Sequence, residues 1–223
     1  MCLVIFDLDG TLFNSETSVL PAVQEALEMV GLERAQDEFI LSLMGENTHD
    51  FCTKLLSSFD DGLERYDEFI KALWTTEAKH IKINGELYAG VRSTLEKLYS
   101  SGYKLAICSN ATSEYIKYVL ETQGIKKYFL LIQSADDMED KIDGVRKLLA
   151  YGKCSKAVMV GDRHHDLEAA KANEIMFIGA TYGYGGHELK EEMYTVDAID
   201  EIPELLGTSK DMRYSYNLPT GAM

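Results

Sequence analysis

The feature that most constrains this chain is a set of short, unbroken apolar runs. Each run is separated from the next by an amphipathic stretch of helical length. Leu3-Val4-Ile5-Phe6 stops at Asp7, and similar runs return at residues 104–108, 128–132, 157–160 and 175–178. A run without polar alternation buries both faces, as a strand does inside a parallel sheet. The stretches 90–101, 113–123, 143–151 and 166–173 have the apolar spacing of helices that cross between such strands. The pattern predicts an α/β fold with a parallel sheet.

Residues 15–87 break this rhythm. They read as successive helices at 19–30, 37–43, 48–57 and 63–81, punctuated by Gly31, Gly45 and Gly62. One α/β core, residues 1–14 and 88–207, is therefore expected to carry an all-helical insert at 15–87. Residues 208–223 have little apolar periodicity and read as a loosely attached tail. There is no run of the roughly eighteen apolar residues that a membrane helix needs, and the N-terminus lacks a basic leader. The four cysteines are scattered without a CxxC pair, which predicts free thiols, no zinc site and a cytoplasmic location. A net charge of −15 disfavours nucleic acid and anionic membranes as partners and points to a small substrate. A monomer or weak dimer is expected.

Four segments carry groups that could do chemistry, and each follows an apolar run or opens the helix after one. In an open parallel sheet the ligand crevice lies beyond the carboxyl ends of the strands, so the four should converge. In Asp7-Leu8-Asp9-Gly10-Thr11, two carboxylates two residues apart project the same way along extended chain. Asp7 could act as nucleophile and Asp9 as general acid and base, although the segment also reads as a polar turn. Ser109-Asn110 could hold anionic oxygens or simply form a turn before the next helix. Lys141, heading a helix with Val145 and Leu148, could stabilise developing negative charge or sit in solvent. Lys153 and Lys156 fall just before a strand, on the wrong edge of the sheet. Gly161-Asp162 and Asp166 offer hard oxygen ligands of the kind Mg²⁺ takes, and His164-His165 reads as partly exposed surface.

The ordered set Asp7-x-Asp9-x-Thr11, Ser109-Asn110, Lys141 and Gly161-Asp162-x-x-x-Asp166 resembles the four motifs of the haloacid dehalogenase-like superfamily. The insert resembles the helical cap of its phosphoglycolate phosphatase and β-phosphoglucomutase branch. The resemblance implies a Rossmann-like core and a Mg²⁺-dependent phosphatase acting on a small-molecule phosphate ester. It implies attack by Asp7 to give an aspartyl-phosphate, with Asp9 serving the leaving alcohol and then the attacking water. Asp7, the main-chain carbonyl of Asp9, Asp162 and Asp166 would be the Mg²⁺ ligands. Thr11, Ser109, Asn110 and Lys141 would meet the phosphate. Two departures from the family pattern stand out: Ile142 where proline is frequent, and Asn173 where glycine is common. Asn173 could fill the glycine position in a left-handed conformation.

A phosphomutase would use the same motifs, and a phosphate-sensing protein could keep the scaffold without turnover. Intact reactive residues count against the sensor; against the mutase stand the likeness of the chain after Gly161 to the phosphatase branch and the lack of a sugar-phosphate signature in residues 15–87. In the insert, Glu46, Asn47, His49 and Lys54 are candidate substrate contacts, and Trp74 is expected to pack among the cap helices.

Overall fold

The apolar runs do form a parallel sheet, because a strand whose sheet is covered by helices on both faces can bury such a sequence completely. The computed structural model describes residues 2–154, 156–189 and 194–208. In chain order the first elements are β1 (Cys2–Phe6), β2 (Phe13–Asn14), α1 (Glu16–Met29), α2 (Asp37–Ser42), α3 (Thr48–Leu56) and α4 (Tyr66–Asn84). Then come β3 (Glu86–Leu87), α5 (Val91–Ser100), β4 (Lys104–Cys108), α6 (Ser113–Thr122), β5 (Phe129–Gln133) and α7 (Lys141–Gly152). The last are β6 (Lys156–Gly161), α8 (His164–Ala172), β7 (Met176–Ala180), β8 (Thr195–Val196) and α9 (Ile202–Thr208). Of the expected tail, only Thr208, which closes α9, lies within the described residues.

The main sheet has the order β5-β4-β1-β6-β7-β8 and is parallel throughout. β1 sits centrally, with Val4 beside Leu105 of β4 and Val158 of β6. Its alternate residues serve two cores. Val4 and Phe6 pack with Leu95, Ile116 and Ile202 on one face. Leu3 and Ile5 pack with Val145, Leu148 and Ala169 on the other. Burying Leu3 to Phe6 on both faces is what demands the uninterrupted apolar sequence.

β5 departs from the expectation of full burial, for it is the edge strand and leaves Leu130 62% and Ile132 37% exposed. Tyr128 belongs to the turn before it. The helix read over 63–81 begins as a 3₁₀ turn at Gly62–Arg65 before α4 starts. The left-handed residue before β7 is Glu174, at φ +54°, and Asn173 keeps a negative φ. The Asn173 amide instead donates to Ile142 O at 3.0 Å and Ala169 O at 2.9 Å, tying the head of α7 to the tail of α8.

Helices α1 to α4 form their own apolar core around Val23, Leu27, Leu55, Phe69 and Leu73. The chain enters and leaves this helical segment through β2 and β3, an antiparallel pair with Phe13 beside Leu87. Each strand has only two residues, too short for any periodicity to register in the sequence. Tyr184 braces the entry, its hydroxyl accepting from Glu16 N at 2.9 Å and lying 3.1 Å from Ser15 Oγ.

Candidate active site

Adjacent strands deliver three of the four motifs to one place. β4, β1 and β6 are neighbours, and Ser109, Asp7 and Asp162 follow their carboxyl ends. The ladder runs up to the reactive residues: Asp7 N donates to Val160 O at 2.9 Å, and Ser109 N to Gln133 O at 3.1 Å. Beyond Asp7 the chain turns at Gly10, whose φ of +83° suits glycine. A Cβ there would stand 2.5 Å from Asp162 Oδ2, so the turn also needs the missing side chain to let Asp162 close in.

Lys141 is the first residue of α7, held there by Asp140, which accepts from Asp143 N at 2.7 Å and caps the helix. Its ammonium reaches Asp7 Oδ1 at 2.9 Å and Asp166 Oδ1 at 2.6 Å. The other Asp166 oxygen accepts from Arg163 N at 3.1 Å, which fixes the first turn of α8. Asp162 accepts from Thr11 Oγ1 at 3.1 Å and from Gly185 N at 3.2 Å.

Oxygens of Asp7, Asp162 and Asp166, all buried, lie within 4.8 Å of one another. Burial pushes the Asp7 carboxyl well above the usual carboxylate range, with Asp166 and Asp162 adding to the rise and Lys141 opposing it. Asp162 is pushed up to about 7 by burial and then by the Asp166 charge. For Lys141, burial favours the neutral amine, but Asp166 and Asp7 override it and hold the ammonium above its ordinary range. One ammonium does not balance three carboxylates, and the raised Asp7 and Asp162 carboxyls express that imbalance. Hard oxygen donors and an unmet need for positive charge fit a divalent cation.

Beside this cluster opens a cleft between the sheet and the helical segment. Asp7, Asp9, Ser109, Asn110 and Lys141 line the sheet side, and Phe51, Ile70, Leu73, Trp74 and Glu77 line the other. Asp9 accepts a hydrogen bond from Tyr115 OH at 2.8 Å. Burial raises the Asp9 pKa, and the Tyr115 hydrogen bond restrains the rise. Glu77 is pushed up to about 8 by burial and then by the Asp9 charge. Burial lowers the His165 pKa, as do His164 and Lys141.

The eight residues that the sequence singles out converge, but two take positions other than expected. Thr11 is fully buried and its hydroxyl donates to Asp162, a carboxylate rather than open cleft. Asn110 lines the cleft, yet its amide donates to Gly45 O of the helical segment at 3.0 Å. Among the candidate contacts from the insert, Glu46 lines the cleft, where Lys54 pairs with it at 2.6 Å. Asn47 caps α3, and His49 bonds Tyr66 OH at 2.9 Å. Trp74 corrects the expectation of a packing role: it is partly buried against the cleft. His165 also lines the cleft, while His164 turns to Glu188 at 2.9 Å.

Tyr115, Glu77 and Arg163 join the site without being singled out by the sequence. Arg163 donates to Met44 O and approaches Glu188 at 3.2 Å, a second tie between sheet and helical segment. The sequence does carry a signal for Glu77. It falls four residues after Leu73 and four before Ile81, where α4 would otherwise continue its apolar stripe.

A parallel α/β sheet with a carboxylate cluster beyond the carboxyl ends of its central strands has its candidate site where open α/β sheets bind ligands. Residues 4–180 match the family described as haloacid dehalogenase-like hydrolase, and the chain belongs to that family. It is therefore a hydrolase by family. It is 29% identical to the phosphoglycolate phosphatase of Vibrio parahaemolyticus, covering 93% of this chain and 96% of that one. It is 28% identical to tyrosine-protein kinase PtkA of Mycobacterium tuberculosis, over 92% of this chain and 72% of that one. Its fold is shared with the crystal structure of a predicted phosphoglycolate phosphatase from Haemophilus somnus. That match has a TM-score of 0.83 at 22% identity and covers 92% of this chain and 97% of that one. Among the described residues, no helix is long and apolar enough to cross a membrane. The four cysteines are free, as their scatter predicts.

Proposed function

We propose that this protein is a Mg²⁺-dependent phosphatase that hydrolyses a small phosphate monoester through an aspartyl-phosphate on Asp7. One observation carries the reading. Asp7 lies in a buried cluster with Lys141, Asp162 and Asp166, and Asp9, on the same strand end, opens into the same cleft. A carboxylate nucleophile needs opposing positive charge before it can approach a phosphate dianion, and Lys141 supplies part of it. Mg²⁺, held by Asp7, Asp162 and the main-chain carbonyl of Asp9, with Asp166 direct or through water, would supply the rest.

In the first step an Asp7 oxygen bonds to phosphorus as the ester P–O bond breaks. Asp9 gives its proton to the departing alkoxide, and Tyr115 holds that carboxyl in place. Asp9, now ionised, takes a proton from a water whose oxygen attacks phosphorus. The bond from phosphorus to Asp7 breaks, releasing inorganic phosphate and restoring the carboxylate. Ser109 and Lys141 steady the phosphoryl oxygens throughout. Residues 15–87 act as a cap over the core of residues 1–14 and 88–207, excluding bulk water while the phosphate is on Asp7. A soluble cytoplasmic enzyme, monomeric or weakly dimeric, is the setting this reading assumes.

The test is release of phosphate from p-nitrophenyl phosphate. Turnover should disappear on chelation with EDTA and return with Mg²⁺. Ca²⁺ should restore it poorly, because its longer and looser coordination misplaces the nucleophile. Undiminished turnover after exhaustive chelation would contradict the proposal.

A further inference from the structure

The wall of the cleft that faces Asp9 is unlike one that would receive a carboxylate. Among the described residues, no lysine or arginine of the helical segment lines the cleft. Its lining there is apolar, through Phe51, Ile70, Leu73 and Trp74, apart from Thr48 and two glutamates. Glu46 is paired with Lys54 at 2.6 Å. Glu77 makes no hydrogen bond or ion pair among the described residues, although α4 places it on an otherwise apolar stripe.

The cations contributed by the sheet side are already engaged. Lys141 is held by Asp7 and Asp166, while Arg163 donates to Met44 O and lies 3.2 Å from Glu188 in an ion pair that leaves its buried Nε without a hydrogen bond. A leaving group departs next to Asp9, because Asp9 must protonate it, and therefore departs into the region Glu77 borders. A carboxylate on that leaving group, as in 2-phosphoglycolate, would meet a second carboxylate with no uncommitted cation beside it. An uncharged or cationic alcohol would instead bury its carbon atoms against Trp74 and its neighbours and satisfy the glutamate.

We propose that this site, read as the phosphatase site above, selects phosphate esters whose leaving alcohol bears no negative charge and offers an apolar body and a hydrogen-bond donor to Glu77. Glu77 is then the specificity-determining residue, and the helical segment excludes the anionic alcohol that its named relatives would suggest. The donor is a hydroxyl or an ammonium group; both meet the glutamate with the same geometry.

The experiment compares kcat/KM for four esters of similar size: 2-phosphoglycolate, 2-hydroxyethyl phosphate, phosphoethanolamine and propyl phosphate. It is run at about pH 9, above the value of about 8 at which Glu77 ionises, on wild type, Glu77→Gln and Glu77→Lys. Wild type should favour the hydroxyl or ammonium ester over 2-phosphoglycolate by at least about tenfold, since like-charge contacts in a closed site cost that much or more. Glu77→Gln should narrow that gap, and Glu77→Lys should reverse it. A lead of phosphoethanolamine that vanishes in Glu77→Gln identifies an ammonium donor; a lead of 2-hydroxyethyl phosphate identifies a hydroxyl. Wild-type preference for 2-phosphoglycolate, or one substrate order shared by all three proteins, overturns the proposal. Turnover of p-nitrophenyl phosphate separates this failure from that of the phosphatase reading. Should that turnover be absent, the same order of preference is read from calorimetric affinities of the four esters.

Discussion

Replacing Glu77 with glutamine is expected to stabilise the protein in mild alkali and to leave its stability unchanged in mild acid. The carboxyl is carried from an ordinary 4.5 to about 8, by burial first and the Asp9 charge second. Between those values the folded protein binds a proton that the unfolded chain has lost, so stability falls as pH rises from 4.5 through about 8. A fully buried group so displaced would forfeit roughly 5 kcal/mol, at about 1.4 kcal/mol per tenfold change in proton affinity. Glu77 is only partly buried and opens on the cleft. Solvent screening there reduces the figure to ~1–2 kcal/mol. Glutamine is nearly isosteric and never ionises, so it escapes this loss. Urea midpoints measured with EDTA at about pH 5 and about pH 8.5 should coincide at the lower pH and favour Glu77→Gln by ~1–2 kcal/mol at the higher. Asp7, Asp9 and Asp162 also titrate, but they are common to both proteins and largely cancel in the difference. Equal effects at the two pH values, or a glutamine variant less stable at the higher one, would refute the reasoning. A residue that destabilises the fold where it ionises is what a binding site retains at the expense of stability.

Two other substitutions probe the machinery around the nucleophile. Lys141→Met removes the ammonium shared by Asp7 and Asp166. It should abolish turnover and cost ~3–5 kcal/mol in chelator-containing urea melts near neutral pH, because it leaves buried charge unpaired. Tyr115→Phe removes the hydrogen bond that restrains the Asp9 pKa. The Asp9 group should then titrate at higher pH in kcat profiles for an alkyl phosphate. The first step with p-nitrophenyl phosphate, whose leaving group needs little protonation, should change less. An unshifted alkyl profile would remove Tyr115 from that role.

What the sequence makes legible is whatever a repeating physical pattern imposes. β1 is buried on both faces by two separate cores, so its residues have to be apolar without interruption, and Asp7 has to mark its end. The helical insert is legible for the same reason, since four amphipathic stretches in succession leave no room for a strand. Contacts made across the fold are not legible. Thr11 finds Asp162 from 151 residues away, and nothing local distinguishes a hydroxyl that meets a phosphate from one that meets a carboxylate. Tyr115 meets Asp9 from 106 residues away, as an ordinary residue in the first turn of α6. Trp74 is misplaced by a reading of the sequence because an aromatic residue at helical spacing is usually core, and only the tertiary arrangement turns it to the cleft. Glu77 is the exception: a carboxylate on an apolar stripe is a local signal, visible in the spacing of α4 alone.

The central claim is that phosphorus bonds to Asp7 during turnover, and trapping that bond tests it most directly. The enzyme is mixed with Mg²⁺ and a rapidly cleaved phosphate ester, quenched within a turnover and reduced with borohydride, which converts an acyl phosphate to an alcohol. Mass spectrometry of the N-terminal peptide should show homoserine at position 7 and unmodified Asp9. It should show no reduction without substrate and none in Asp7→Asn, which should also lose turnover. Wild-type turnover in Asp7→Asn, or reduction at Asp9 with Asp7 untouched, would contradict the account.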